Sequence, residues 1–129
     1  MKDLSALFVT LKRYDVIDLG VCYRLHRLCN GKQFNTVPGT VFANFINLRN
    51  VEQPIYVKPR QKLKVCFLIY LLSVNINDDS ISEDWKDSLL AKCGISKSYY
   101  ASHYKDAEYS AAKGMTEFTA KLKRIIVAE

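Results

Sequence analysis

The sequence is poor in the residues that turn-rich and secreted folds need. Among 129 residues there are five glycines and three prolines, which favours helices over an all-β fold. The four cysteines form no Cys-x-x-Cys pair and are expected to be reduced, buried side chains. Acids and bases come too early for a signal peptide, and no apolar run reaches the about 20 residues that span a bilayer. The cytoplasm is therefore the expected location, with no membrane partner.

Sequence motifs of the common catalytic and cofactor sites are missing as well. There is no Gly-x-Ser-x-Gly nucleophile elbow and no glycine-rich phosphate loop. The two histidines, His26 and His103, give little support to a catalytic triad. Glu83, Asp84 and Asp87 cluster at a predicted helix start, where the helix dipole favours carboxylates without any catalytic role. The sequence therefore predicts a protein that is not an enzyme, with no cofactor and no small-molecule substrate.

The charge that is present is unevenly distributed along an otherwise ordinary globular composition. Apolar residues make up 49% of the chain, enough for a real core, and the net charge is +6. Residues 1–64 carry eleven Lys and Arg against four Asp and Glu, whereas residues 65–129 carry eight against nine. A basic half attracts phosphate, acidic protein or anionic membrane. The alternative is that these cations only keep the protein soluble.

The longest apolar stretch, residues 63–76, predicts the centre of the fold. It reads LKVCFLIYLLSVNI, and between residues 65 and 72 its only polar group is the hydroxyl of Tyr70. A helix that is apolar on every face lies inside a protein. We therefore expect an all-α fold in which about six helices surround a buried central helix.

The remaining helices are predicted from apolar spacing and from capping residues. Leu4, Leu7, Phe8 and Leu11 follow the spacing of one helix face. Further helices are expected at about 16–29, 38–50, 81–93, 97–106 and 110–127. The expected N-terminal signals of the helices after residue 15 are Asp15, Thr40, Pro59 in the first turn of the central helix, a Ser80–Glu83 capping box, and Ser96.

The segment 51–57 predicts an extended connection, because Gln53 and Lys58 precede prolines and such residues avoid the α region. A short edge strand at 55–57 is compatible with this pattern. The chain is thus expected to be a single helical domain, 1–129, or two halves, 1–52 and 58–129, joined by this extended segment.

A helix-turn-helix pattern lies in DWKDSLLAKCGISKSYYASHYKD, with Gly94 in the turn. Leu89, Cys93, Ile95 and Tyr100 fall where the core between the two helices is expected. Two positions depart from the pattern, because Leu90 replaces a small residue and His103 replaces an apolar one. The side chains predicted to face a DNA groove are those of Lys97, Ser98, Ser102 and Lys105, with Ser96 and Ala101 also outward. The alternative is an ordinary αα-hairpin whose tyrosines pack inward.

Two further clusters have both a functional and a structural interpretation. The first cluster is four cations with no acid among them: Lys58, Arg60, Lys62 and Lys64. They would hold DNA phosphates beside a recognition helix. The alternative is that they form a solvated first helical turn. Cys22, His26 and Cys29 follow the spacing of one helix face, and thiolate and imidazole ligands suit zinc. Without a fourth ligand, a half-buried histidine between packed thiols is the favoured interpretation.

The C-terminal half, about residues 58–126, resembles the RteC family of regulators associated with conjugative transposons. The likeness is an order of features: the apolar helix KVCFLIYLLSVNIND, a helix with Trp85, Gly94-Ile95-Ser96 before Tyr99, Tyr100 and Tyr104, and TEFTAKLKRI with Phe118 and Leu122. The family has a basic run after the tyrosine helix, whereas this chain has KDAEYSAAKG. The resemblance implies a helical, DNA-binding transcription regulator of mobile-element genes.

The sequence therefore predicts a small, non-enzymatic regulator that binds double-stranded DNA. The alternative is a helical protein-interaction module, or a homodimer that pairs through its C-terminal helix. A subunit of an enzyme that lacks its own site is a third interpretation.

Overall fold

The computed structural model describes residues 15–127 of the chain. This part contains six α-helices, one 3-10 turn and no β-strand, which confirms the predicted all-α fold. The expected helix face of Leu4, Leu7, Phe8 and Leu11 lies outside the described residues. The helices are α1 (Leu19–Cys29), α2 (Gly39–Ile46), α3 (Lys62–Val74), α4 (Asp79–Lys92), α5 (Lys97–His103) and α6 (Lys113–Ile126), with the 3-10 turn Asp106–Tyr109 before α6.

Helix α3 is the buried centre that the apolar run predicts. Every side chain from residue 65 to 69 is completely buried, and Leu72 is almost so. Helices α4 and α6 and the 3-10 turn all pack against it. Because burying one large apolar side chain stabilises a fold by about 1.5–3 kcal/mol, this single helix contributes much of the stability.

Helix α1 begins three residues later than predicted. The carboxylate of Asp18, not that of Asp15, accepts a hydrogen bond from the backbone N–H of Val21 and caps the helix. Asp15 instead forms a 2.6 Å ion pair with Arg49, so its carboxylate is engaged elsewhere. After α1, Gly31 adopts φ +73°, the left-handed conformation expected at this helix end.

The start of α1 is held against the end of α2 by the buried side chain of Asn47. Its amide oxygen accepts from the N–H of Ile17 at 2.8 Å, and its amide nitrogen donates to the carbonyl of Ile17 at 3.1 Å. Helix α2 has Pro38 at its N-cap position and no side-chain cap, so the predicted capping role of Thr40 is wrong. Proline suits this start because helix α2 needs no N–H at that position.

The extended segment after α2 lies along the loop that follows α1. Tyr56 and Asn35 exchange hydrogen bonds, and the N–H of Lys58 donates to Gln33. Val57 forms only an isolated bridge with Phe34, so residues 55–57 are extended without being a strand. A turn with Arg60 at φ +70° follows, which leaves Pro59 before α3 instead of in its first turn.

Helix α4 begins at a cap that the sequence interpretation missed. The carboxylate of Asp78 accepts from the N–H of Ile81, whereas Glu83 of the predicted capping box bonds Lys86 at 2.9 Å. Trp85 is buried, and its indole N–H donates to the carbonyl of Ile46 at 2.8 Å. This bond ties α4 to the end of α2 and satisfies the one polar group of the ring.

Helix α6 is amphipathic and starts three residues after its predicted beginning, because the backbone from Ser110 to Ala112 is extended at both ends. Phe118, Leu122 and Ile126 face the core, as the apolar spacing predicts. The helix packs on α1, α3 and the 3-10 turn. It therefore brings the last cations of the sequence beside the first described helix.

Candidate nucleic-acid interface

Helices α4 and α5 are joined by a tight turn at Gly94. This glycine has φ +70°, and the N–H of the next residue, Ile95, donates back to the carbonyl of Leu90 at 3.0 Å. The left-handed conformation is the reason that glycine is needed here, because a Cβ would strain it. Ser96 then caps α5 by accepting from the N–H of Tyr99 at 3.1 Å, as predicted.

The side of the hairpin that faces the protein is apolar, as the helix-turn-helix pattern requires. Leu89, Ile95 and Tyr100 are buried, and Cys93 is half-buried. Leu90, the first departure from the pattern, is also fully buried. At His103, the second departure, the ring bonds the carboxylate of Asp106 at 2.7 Å on the surface.

The outer side of α5 carries the predicted groove residues. Ser98 and Ser102 are exposed, with the Ser98 hydroxyl 3.3 Å from that of Ser96. Lys97 is also exposed, although its ammonium lies 3.4 Å from the carboxylate of Asp87. Lys105 is half-buried just beyond the helix. The structure thus places these four side chains along one short element and its C-terminal turn.

Aromatic rings hold Lys105 in place at the end of α5. Its ammonium is 5.4 Å from the ring centre of Tyr70 and 5.9 Å from that of Tyr104. Tyr70, and after it Tyr104, raises the pKa of Lys105. This lysine is therefore a fixed positive charge, and its reach towards a ligand is limited by its own packing.

A groove of about 720 Å³ lies between α5, α4 and the end of α3. Its polar rim mixes Lys86 and Lys97 with the carboxylates of Asp79, Glu83 and Asp87. Burial raises the pKa of the Tyr100 phenol in its wall, so this hydroxyl stays protonated. Because acids and bases nearly balance here, this groove does not itself attract a polyanion.

The four cations just before and in the first turn of α3 contact different neighbours. The ammonium of Lys58 donates to the carbonyl of Gly31 at 3.0 Å, and that of Lys62 lies 4.9 Å from the ring centre of Tyr99 on α5. Lys64 lies over the ring of Phe118 on α6, at 5.5 Å, while Arg60 is exposed in the turn. Lys62 is therefore the member that the structure brings beside the predicted recognition helix.

The Cys22, His26 and Cys29 cluster has structural contacts. The imidazole Nε2 of His26 lies 2.6 Å from the carbonyl oxygen of Val37, and the Cys22 thiol faces the carbonyl of Ile17. Burial raises the pKa of both thiols to about 12, which disfavours the thiolates that zinc would need. Within residues 15–127 no group of three His, Cys, Asp or Glu is arranged to hold a metal ion.

A second basic surface lies between α1 and α6, where the sequence interpretation did not place a site. The side chains of Arg24 and Arg27 on α1 and Lys121 and Arg124 on α6 line a groove of about 520 Å³, with Leu28 and Ile125 as its apolar floor. Arg24 and Arg27 are both exposed on α1. No local signal pairs them with α6, because the two helices are far apart in sequence.

Comparisons of the chain with protein families, with characterised proteins and with solved structures find no match. None of the helices between residues 15 and 127 combines the length and the apolar character needed to cross a membrane.

Proposed function

We propose that the protein is a small, non-enzymatic DNA-binding regulator that presents α5 to the major groove. The observation that carries this proposal is the α4–α5 hairpin itself. A left-handed Gly94 and a serine-capped helix form the tight turn that groove-binding hairpins use. The outer side of that helix carries short polar side chains, which let a duplex approach closely.

The predicted groove contacts have the chemistry for base recognition. The hydroxyls of Ser98 and Ser102 can donate to or accept from base edges, and the ammonium of Lys97 suits the two acceptors of guanine. Lys62 stands beside Tyr99, where it would contact the phosphate backbone and fix the register. Lys58, Arg60 and Lys64 would add phosphate contacts around it, and Lys105 would act at the C-terminal end of α5.

Regulation of mobile-element genes is part of this proposal because the C-terminal half resembles the RteC family in its order of features. In that role the protein would read a specific duplex sequence. The surface of α5 would supply specificity, while cations outside α5 would supply most of the affinity.

A salt titration of DNA binding, followed by fluorescence anisotropy on a duplex of mixed sequence, tests the proposal. Affinity should fall with salt with a log–log slope of about −0.9 for each phosphate contacted. Lys97→Glu with Lys105→Glu should weaken binding and reduce the slope. The control, Lys32→Glu with Lys113→Glu, makes the same change in charge at two exposed lysines outside the hairpin. Wild-type protein that shows no salt-dependent binding would refute DNA binding, and Lys97 and Lys105 variants that match the control would refute the α5 placement.

The alternative function is a helical protein-interaction module or a homodimer through α6. It is favoured by the apolar surface at the end of that helix, where Ile125 is half-buried and Val127 is 49% exposed. Sedimentation over a range of protein concentrations, without DNA, separates this alternative from a monomeric DNA-binding protein.

A further inference from the structure

The groove between α1 and α6 concentrates positive charge on two helices. Arg24 and Arg27 are three residues apart on α1, and Lys121 and Arg124 are three residues apart on α6. Side chains at this spacing are neighbours on a helix, with about 5–6 Å between their Cβ atoms. The groove therefore has two cations on each wall, and no carboxylate belongs to its lining.

These four cations have no partner of opposite charge within the described residues 15–127. None of them forms an ion pair there, and none lies over an aromatic ring. On α6, by contrast, the ammonium of Lys123 does have a partner, because it bonds the carboxylate of Glu108 at 3.0 Å. The carboxylate of Asp18, which caps α1, lies near the guanidinium of Arg24 but forms no ion pair with it. Four like charges around one groove favour an external anion.

We propose that this groove binds the phosphate backbone of duplex DNA, an inference that rests on the proposed DNA-binding function. Three of its four cations are arginines, the side chain best suited to phosphodiester oxygens: Arg24, Arg27 and Arg124. Their planar guanidinium groups match two oxygens of one phosphate at once. Leu28 and Ile125 keep the floor shallow and apolar, so the charged ends project towards the ligand.

Two cations at the start of α3 contact the two helices that carry the proposed DNA-binding surfaces. Lys121 is three residues beyond Phe118 on α6, and Lys64 lies over the ring of Phe118. Lys62, half a turn before Lys64 on α3, lies over Tyr99 of α5. Lys62 and Lys64 are two residues apart and therefore lie on opposite sides of α3, one towards α5 and the other towards α6. The groove would therefore bind phosphates independently of α5.

Neutralising one cation on each wall tests the inference. In the double variant Arg27→Gln with Lys121→Gln, the log–log salt slope for DNA binding should become shallower by about 2, close to 0.9 for each lost phosphate contact. Affinity at low salt should fall about tenfold or more. The control, Lys32→Gln with Lys113→Gln, removes the same charge from exposed sites outside the groove and should keep the wild-type slope. The double variant Arg27→Lys with Lys121→Arg keeps the charge of the groove and should therefore also keep the wild-type slope.

The outcomes separate this inference from the proposed function. If the Lys97 and Lys105 variant loses affinity while the groove variant matches its control, the groove inference is wrong and the α5 proposal stands. If only the groove variant loses affinity, the groove is the DNA site and the α5 placement is wrong. Wild-type protein that does not bind DNA overturns both. Vesicles rich in phosphatidylserine are the second probe, and groove-dependent binding to them without DNA binding would assign the groove to a membrane surface.

Discussion

Two basic surfaces of this molecule differ in what their cations touch. Around the α4–α5 hairpin the chain supplies the partners, since Lys62 lies over Tyr99, Lys64 over Phe118, and Lys97 beside Asp87. In the α1–α6 groove, the part of the chain that the structure describes supplies no such partner for any of the four cations. Most cations of the first surface already have a contact within the protein, although Arg60 is exposed. The cations of the second surface form no ion pair among the described residues.

This difference shows that the charge of each half of the sequence is a poor guide to the charge of a surface. Residues 65–129 have nine acids and eight bases, which argues against polyanion binding by that half. The fold, however, gives two of those bases, Lys121 and Arg124, to a groove shared with α1. Four of the nine acids lie on α4, within the hairpin, and Asp78 caps that helix.

Both basic surfaces are expected to depend on one hydrophobic core. The variant Leu68→Ala tests this and has the largest expected effect. Leu68 is completely buried in α3. Its truncation should lower the free energy of unfolding by about 2–5 kcal/mol, because a cavity remains in a packed interior. Urea denaturation should show one transition, the same by Trp85 fluorescence and by far-ultraviolet circular dichroism.

The matched control is Val74→Ala, at an exposed position of the same helix, which should change stability by about 0.5 kcal/mol or less. Two separate transitions would contradict a single core. They would instead support two halves, 1–52 and 58–129, and each basic surface would then have to be considered with its own half.

Two glycine substitutions, one near each surface, should change the stability of the protein in opposite directions. These are the next largest expected effects. Gly94→Ala should destabilise the hairpin by about 1–2 kcal/mol, because alanine resists φ +70°. Gly114→Ala, in the first turn of α6 with open space around its Cβ, should stabilise the protein by about 0.4–1 kcal/mol. Urea midpoints measure both changes. A Gly94→Ala variant at least as stable as the wild type would show that the Gly94 turn does not need its left-handed conformation.

The sequence predicts the elements of this fold well where the signal is local and unambiguous. The apolar run predicts α3, and Ser96 predicts the start of α5, because no competing cap lies nearby. The starts of α1 and α4 are misplaced for the opposite reason. Each has two candidate caps a few residues apart, Asp15 or Asp18 and Asp78 or Ser80. At α1 the ion pair of Asp15 with Arg49 leaves Asp18 as the cap, and at α4 Asp78 makes the capping bond. Local preference cannot make that choice.

The parts of the site that depend on long-range contacts could not be predicted. Asn47 bonds the backbone of Ile17, thirty residues earlier, and no local pattern marks an asparagine for that role. The groove cations are predictable only as exposed residues of their own helices. Their assembly into one site follows from the packing of α6 on α1, which the sequence alone does not specify.

Charge removal should have opposite effects on stability at the two surfaces, and this is the smallest expected effect. Lys64→Met keeps the aliphatic stem but loses the attraction to Phe118, so the free energy of unfolding should fall by about 0.5 kcal/mol. Arg27→Gln removes one of four repelling cations from the groove. The free energy of unfolding should therefore rise by a few tenths of a kcal/mol, about the size of a like-charge pair on a helix.

Salt distinguishes these electrostatic effects from changes in packing. Screening shortens the range of surface charge interactions to about 3 Å at 1 M ionic strength. The gain from Arg27→Gln should therefore disappear in concentrated salt, whereas the Lys64→Met loss should persist in part because that ammonium is half-buried over a ring. Urea denaturation at low and high salt measures both differences. A fall in stability with Arg27→Gln at low salt would mean that the guanidinium is already compensated within the protein, and the contrast between the two surfaces would be lost.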